Sequence, residues 1–327
     1  MNVAIVGCGL MGMKRARALG PDRLVSAIDV DEPRARALAA AFPGCRASSR
    51  WQDEVARDDV ELVLVCTSND GLVPVARAAV RAGKHVLVEK PGARSVAELD
   101  GLLEDARRTS VVAKVGFNHR FHPALRRAKT LCDEGAVGPL LYLRGRYGHG
   151  GRLGYESEWR ADKLRSGGGE LLDQGVHLID LARWFAGEFV EVFGRVSTFF
   201  WKMPVEDNGF LHLRTQAGQV AWLHASSTEW KNLFSFEIFG RSGKLQIDGL
   251  GGSYGVERLT HYRMKPELGP PDTQVFEYPG DDLSWRAELD DLRDAIGERR
   301  PLSGSLDDAR AALVIVEAAY AQSGARP

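Results

Sequence analysis

Asp173, His177 and Asp180 stand at i, i+4 and i+7 of one periodic stretch, so a helix running to about Phe185 would carry all three on one face. A carboxylate one turn from an imidazole can work as an acid/base pair. Leu172, Val176, Ile179 and Phe185 form an apolar stripe beside them. The competing reading is that this polar stripe is the solvated side of an amphipathic helix. Lys90 is a second candidate. It closes the apolar run Val86-Leu87-Val88 in the tripeptide Glu89-Lys90-Pro91. A lysine at the C-terminal end of a strand can hold a substrate oxygen and share in proton transfer. The plain alternative is a solvated loop lysine.

These groups need a reactive partner and a frame, and the first third of the chain supplies both. Asn2 to Val6 reads as a buried parallel strand, followed by Gly7-Cys8-Gly9-Leu10-Met11-Gly12 and a helix from about Leu10 to Leu19. In such a turn the first glycine permits the bend and the second lets a backbone amide approach a pyrophosphate. The third lets helix and strand pack closely, and the helix start supplies positive potential. Leu24 to Ile28 is the next strand and ends in Asp29, 22 residues after Gly7, the separation expected of a carboxylate on a ribose 2′-hydroxyl. Gly7, Gly9, Leu10, Met11, Gly12 and Asp29 are therefore expected to bind a dinucleotide. Asp29 would repel a 2′-phosphate, which favours NAD, with NADP as the alternative if Arg34 or Arg36 reached back. Leu62 to Cys66 is a third strand, and Thr67, Ser68 and Asn69 follow at its C-terminal end, where such sheets bind ligands. Leu72 to Ala82 and Val96 to about Arg107 read as helices, the latter capped by Ser95 with Glu98 at the capping-box position. Val111 to Gly116 is the last strand of the set. Strands alternating with helices predict a doubly wound parallel sheet of Rossmann type.

The 327 residues suffice for two domains. Lysine and arginine total 43 against 44 acidic residues, so no positive excess favours nucleic acid. Cys8, Cys45, Cys66 and Cys132 are scattered without metal-ligand spacing. Reduced thiols and a cytoplasmic setting are expected. No apolar run approaches the ~18 residues of a membrane span, and no secretory leader pattern precedes the first strand, so neither a membrane nor a signal peptide is expected.

Taken in order, Gly7-x-Gly9-x-x-Gly12, Glu89-Lys90-Pro91, Gly116-Phe117-Asn118-His119-Arg120-Phe121-His122-Pro123, and Gly167-Gly168-Gly169 with Asp173 and His177 resemble the glucose–fructose oxidoreductase / inositol dehydrogenase / MocA (Gfo/Idh/MocA) family over most of the chain. The resemblance implies an N-terminal Rossmann domain binding NAD or NADP. It also implies a C-terminal α+β domain with a large open, mainly antiparallel sheet. The implied chemistry is hydride transfer at a carbinol carbon of a sugar, cyclitol or related compound. By position, Lys90 matches the lysine of the family's Glu-Lys-Pro motif, and Asp173 and His177 match its paired acid and base. Glu89, Lys90, Asn118 and Arg120 fall where the family approaches its cofactor.

The domain boundary is expected at residue 120, with 1–120 binding the dinucleotide and 121–327 serving substrate binding and oligomerisation. Phe121 to Glu134 reads as one helix and Leu140 to Tyr147 as a strand. The next stretch is rich in Gly, Arg and aromatics. Arginine forks bind carboxylate or phosphate, and tyrosine and tryptophan faces suit sugar rings. Tyr147, His149, Arg152, Trp159, Arg160 and Lys163 are therefore candidates, with Lys90, Asp173 and His177, to bind a substrate carrying a negative group. Ordinary charge pairing, Arg160 with Asp162 for instance, is the alternative. From Phe189 the pattern turns to period two, with strands Val190–Phe200, Gly209–Thr215, Gln219–Ser227, Leu233–Phe239, Lys244–Asp248, Gly255–Met264 and Thr273–Tyr278. Both faces of these strands hold apolar groups, so a homodimer or homotetramer through the open sheet is expected. His212, His224 and His261 read as structural. Asp282–Glu298 and Leu306–Tyr320 are the last helices.

The expectation is an NAD-dependent oxidoreductase acting on a sugar, sugar acid, nucleotide-sugar or cyclitol, without a metal. Two other classes stay open at the level of sequence. One uses tightly bound NAD for transient oxidation in a net non-redox reaction, elimination or glycoside cleavage. The other is a non-enzymatic NAD-binding sensor.

Overall fold

A computed structural model describes residues 1–267, 269–298 and 300–324. In chain order its first elements are β1 (Asn2–Val6), α1 (Leu10–Arg17), β2 (Arg23–Ile28), α2 (Glu32–Ala39), β3 (Arg46–Ser48), α3 (Trp51–Val55), β4 (Leu62–Val65), α4 (Asn69–Arg81), β5 (His85–Glu89), α5 (Val96–Arg107) and β6 (Ala113–Gly116). The six strands form one parallel sheet in the order β3-β2-β1-β4-β5-β6, the doubly wound arrangement expected. Every residue of β4 is buried, as a strand covered by helices on both faces must be. Ser95 caps α5 by accepting the Glu98 amide at 3.2 Å, and Glu98 answers on the Arg94 amide at 3.1 Å. The short β3 and α3 carry too few residues for a periodic signal, and neither was expected.

Next come a 3₁₀ turn at Asn118–Phe121, α6 (Pro123–Asp133), β7 (Leu140–Gly148), a 3₁₀ turn at Tyr155–Ser157, the one-turn α7 (Lys163–Ser166), a π-helical segment at Leu171–Gly175 and α8 (Val176–Ala186). Pro123 at the first turn explains why the expected helix from Phe121 is split there. The strands β8 (Phe189–Ser197), β9 (Asn208–Thr215), β10 (Val220–Ser226), β11 (Leu233–Gly240), β12 (Gly243–Asp248), β13 (Glu257–Arg263) and β14 (Asp272–Tyr278) follow. With β7 they make an eight-stranded sheet ordered β14-β13-β12-β11-β7-β10-β9-β8, antiparallel except for the β7–β10 pair. Strand β8 stops short of the expected Phe200. The Phe199, Phe200 and Trp201 amides turn inward onto the buried Asp207 carboxylate at 2.7–3.0 Å. Helix α8 lies against this sheet at Gly145 of β7, where an added Cβ would meet Leu178 at 3.0 Å. The outer face leaves Phe193, Trp222 and Phe210 exposed.

Helices α9 (Ser284–Glu298) and α10 (Leu306–Gln322) close the chain. Two compact units result: Met1–Phe117 with Leu164–Gly167 and Trp285–Leu313, and Asn118–Lys163 with Gly168–Ser284 and the run from Val314 onward. A single cut at residue 120 misassigns α9. Its Leu289 and Leu292 are buried in the core built by Val3, Ile5, Leu62 and Leu64. Its Glu288 pairs with Arg15 of α1 at 2.6 Å. Among the described residues no helix is long and apolar enough to cross a membrane.

Candidate active site

In the first unit the dinucleotide turn is built as its residue types demand. Gly7 takes φ +97°, and a Cβ on Gly12 would lie 2.0 Å from the Gly7 carbonyl oxygen. Around Gly9 a Cβ would meet nothing within 4 Å. Helix α1 starts at Gly9 with no side-chain cap and no acidic residue in its first turn, so its leading amides and dipole stay available to an anion. Leu10 is exposed and Met11 half-buried at this start. Asp29 braces the turn by accepting the Cys8 amide at 2.7 Å and the Asp31 amide at 2.9 Å. A carboxylate has about four lone-pair sites, so both oxygens retain capacity for a ribose hydroxyl. Arg34 is held on Asp31 and Arg36 on Glu32. Neither is the free cation that a 2′-phosphate would need. These residues fit NAD.

The other first-unit candidates divide. Thr67 and Ser68 are half-buried at the end of β4, with Ser68 donating to Asp70 at 2.6 Å. Asn69 is turned away, buried and bonded to the Ser166 carbonyl at 2.8 Å. Glu89 is likewise buried and receives Arg15 Nε at 2.7 Å, so its carboxylate serves the protein interior. Lys90 follows in a turn, half-buried, with a cis peptide to Pro91.

In the second unit the helix carrying Asp173 and His177 departs from expectation. Its first turn is π-helical and becomes α-helical only at Val176. Such π turns are frequent at functional sites. The polar groups do not form a solvated stripe. Asp180 is fully buried and takes a two-pronged contact from Arg120, Nε to Oδ2 at 2.8 Å and Nη2 to Oδ1 at 2.6 Å. That fork occupies the guanidinium the resemblance had placed near a cofactor. Asn118 is also buried, donating to Ser284 at 2.9 Å. Asp173 keeps 13% side-chain exposure and receives Arg160 Nε at 3.2 Å. His177 is 4% exposed, its ring stacked on His119 with centroids 3.7 Å apart. His119 in turn meets Tyr147 edge-on at 5.0 Å, and Tyr147 faces Tyr254 at 5.1 Å. Burial, then Tyr254, push the Tyr147 phenol far above its usual range, so it stays protonated as a donor.

Beside Asp173 sits a buried carboxylate that sequence reasoning missed, Glu170. Tyr155 donates to it at 3.3 Å, and His149 Nε2 lies 3.4 Å away. The Gly151 amide donates to His149 Nδ1 at 2.9 Å, which leaves Nε2 to carry the ring proton toward Glu170. Burial alone would lower the His149 pKa, but the hydrogen bond to Glu170, its charge and that of Asp173 raise it. The spacing of Glu170 one turn before Asp173 was a usable signal; Tyr155 and Tyr254 had none beyond an aromatic-rich loop. Arg160 bonds Asp173, and stacks over Trp159 at 4.6 Å. Arg152 is exposed and paired with Glu158 at 2.6 Å, at the edge of this group, since Glu158 also lies 3.9 Å from Arg160. Lys163 is half-buried at the start of α7. The structure thus gathers Tyr147, His149, Arg160, Asp173 and His177, and leaves Arg152 at the edge. With Glu170, the gathered set can take a proton at imidazole, donate hydrogen bonds from phenol and guanidinium, and accept them at two carboxylates.

Comparison with known proteins agrees with both halves. Residues 1–117 match the oxidoreductase family with an NAD-binding Rossmann fold, and residues 125–246 match the GFO/IDH/MocA C-terminal domain. Levoglucosan dehydrogenase of Pseudarthrobacter phenanthrenivorans is 33% identical over 232 residues, 67% of this chain and 59% of that relative's length. The dTDP-3,4-didehydro-2,6-dideoxy-alpha-D-glucose 3-reductase of Streptomyces violaceoruber is 31% identical over 252 residues, 76% of this chain and 72% of the relative. A solved levoglucosan dehydrogenase in complex with NADH and levoglucosan superposes with a TM-score of 0.87 at 26% identity, covering 99% of this chain and 98% of that one. With an NAD-type turn in its first unit and both family domains matched in order, the chain belongs to the Gfo/Idh/MocA oxidoreductase family.

Proposed function

We propose that this protein is an NAD-dependent dehydrogenase acting on a carbinol carbon of a sugar or cyclitol. The observation that carries the reading is the pairing, in one chain, of an unobstructed dinucleotide turn with an imidazole buried beside a guanidinium-held carboxylate. Bound NAD would supply the hydride acceptor. His177 accepts the hydroxyl proton of the substrate during oxidation and returns it during reduction. Asp173, steadied by Arg160, accepts a hydrogen bond from a neighbouring hydroxyl and so fixes which carbon is presented. The Tyr147 phenol and the Arg160 guanidinium donate to ring oxygens. Lys90 takes the role the resemblance implies, holding the oxygen on which charge develops. The names of the relatives support a neutral polyol or a sugar nucleotide. Arg160 is already engaged by Asp173, so an anionic substrate would have to share it. The apolar outer face of the eight-stranded sheet supports assembly with a second copy.

The test is a spectrophotometric screen of sugars, cyclitols, uronic acids and nucleotide-sugars with NAD and NADP, followed by His177→Asn on the best substrate. Loss of the proton acceptor should lower kcat by ~10²–10⁴-fold with little change in NAD affinity. Unchanged turnover in His177→Asn would overturn the assignment. Turnover without accumulation of reduced cofactor would favour the net non-redox class instead.

A further inference from the structure

Glu206 lies in the loop between β8 and β9, away from every motif noted in the sequence, yet it is 8% exposed and fully engaged. Its Oε2 accepts the Gly169 amide at 3.0 Å, its Oε1 accepts the Leu171 amide at 3.1 Å, and its own carbonyl oxygen accepts the Glu170 amide at 3.0 Å. Three consecutive amides at the start of the π segment, which a helix leaves without internal partners, are thus met by one residue 35 to 37 positions away. Tyr320 of α10 donates its hydroxyl to Oε1 at 2.7 Å. The neighbouring Asp207 is itself fixed by the Phe199, Phe200 and Trp201 amides, so the loop presenting Glu206 is braced from behind.

The glycine run gains a reason. A Cβ on Gly169 would lie 2.0 Å from the Glu206 carbonyl oxygen, and one on Gly168 would lie 2.1 Å from the Tyr320 hydroxyl. Any side chain at either place would push the clasp off the helix start. Downstream, the same turn carries Glu170, which faces Tyr155 and His149, and Asp173, whose amide bonds the Gly169 carbonyl at 2.9 Å.

We propose that Glu206, held by Tyr320, is a positioning residue that sets the register of the π-helical turn and through it the placement of Asp173 and Glu170. This rests on the proposed dehydrogenase function, but the clasp itself has a readout that does not. Glu206→Gln keeps the size and one acceptor oxygen while replacing the other with a donor that opposes an amide or the Tyr320 hydroxyl. Tyr320→Phe removes a single donor and leaves both amide contacts.

Two measurements on the full-length protein decide it. Amide hydrogen exchange at residues 169–171 should rise in Glu206→Gln and, less, in Tyr320→Phe, whether or not a substrate is in hand. On the substrate found by the screen, kcat should fall ~10²-fold in Glu206→Gln, as expected for a reacting group displaced by about an ångström, with the KM for NAD unchanged. Tyr320→Phe should cost roughly 3- to 10-fold. In an Asp173→Asn background Glu206→Gln should cost far less than in the wild type, because the two act as one unit. Unaltered exchange at 169–171 overturns the clasp. Raised exchange with full additivity against Asp173→Asn overturns the positioning role. A wild type that turns over nothing in the screen overturns the dehydrogenase reading, and the exchange data alone then decide the clasp.

Discussion

Two helix starts in this protein are finished in opposite ways. At α1 the start is left open: Gly9 caps without a side chain, no acid stands in the first turn, and the space above Gly9 is empty. At the π turn before α8 the start is filled, each of the amides of residues 169–171 ending on Glu206. The same orphan amides are left open to an anion in one place and tied to the protein's own carboxylate in the other. What differs is whether the protein brings its own carboxylate. Both starts depend on glycines at close contacts, but for different neighbours: Gly12 admits the adjacent strand end, whereas Gly168 and Gly169 admit a residue from each of two remote segments.

Breaking the open end should give the largest effect. In Gly12→Ala the new methyl collides with the Gly7 carbonyl, which should cost about 3 kcal/mol of stability and abolish NAD binding, read by thermal melting and cofactor titration. Gly9→Ala should separate fold from function at the same turn. Its Cβ meets nothing in the protein, so the melting temperature should hold while NAD affinity falls about tenfold or more, as the methyl occupies the approach of the pyrophosphate. An Ala variant that bound NAD as tightly as the wild type would mean the open end is not the seat.

The closed end should reveal itself through pH. Burial pushes the Glu206 carboxyl from 4.5 up to about 7, against the pull of Tyr320 and the Gly169 and Leu171 amides. A carboxyl whose folded pKa is raised contributes stability below its unfolded value and loses it as pH rises through the folded one. That contribution, about 3 kcal/mol, should fade between the two values, so the melting temperature should decline across that window in the wild type. Glu206→Gln should flatten the decline; an identical slope in both proteins would refute it. The smallest effect is expected at an ordinary helix start, where Ser95→Ala should cost about 1 kcal/mol and leave both kinetic constants alone.

The open end was legible in the sequence because its parts are neighbours along the chain: Gly7, Gly9, Gly12 and the strand before them fall within a dozen residues, and Asp29 follows at a telling distance. The β strands of the second unit were legible for the same reason, through period-two alternation and glycine turns. The closed end was not. A spacing of i and i+4 serves a π turn as readily as an α turn, so Asp173 and His177 looked like an ordinary helical face. Asp180, assigned to that face by periodicity, instead met Arg120, a pairing set by packing across 60 residues. Glu206 sat in a Pro-Val-Glu-Asp stretch with no periodic signal, and its partner Tyr320 came 114 residues later. Arg160 was expected to serve a substrate or Asp162, and spacing along the chain gave no sign that it would turn to Asp173.

The placement of α9 bears on how the chain is made. Arg15, with no solvent exposure, is neutralised by Glu89 and by Glu288, and the latter leaves the ribosome 273 residues after it. Leu289 and Leu292 complete the same interior. A nascent chain that has finished all six parallel strands therefore still exposes part of its first core and leaves a second counter-charge missing. The dinucleotide-binding unit is therefore finished only once α9 has been made, and an expression fragment ending near residue 120 would lack both the Glu288 counter-charge and the Leu289 and Leu292 side chains.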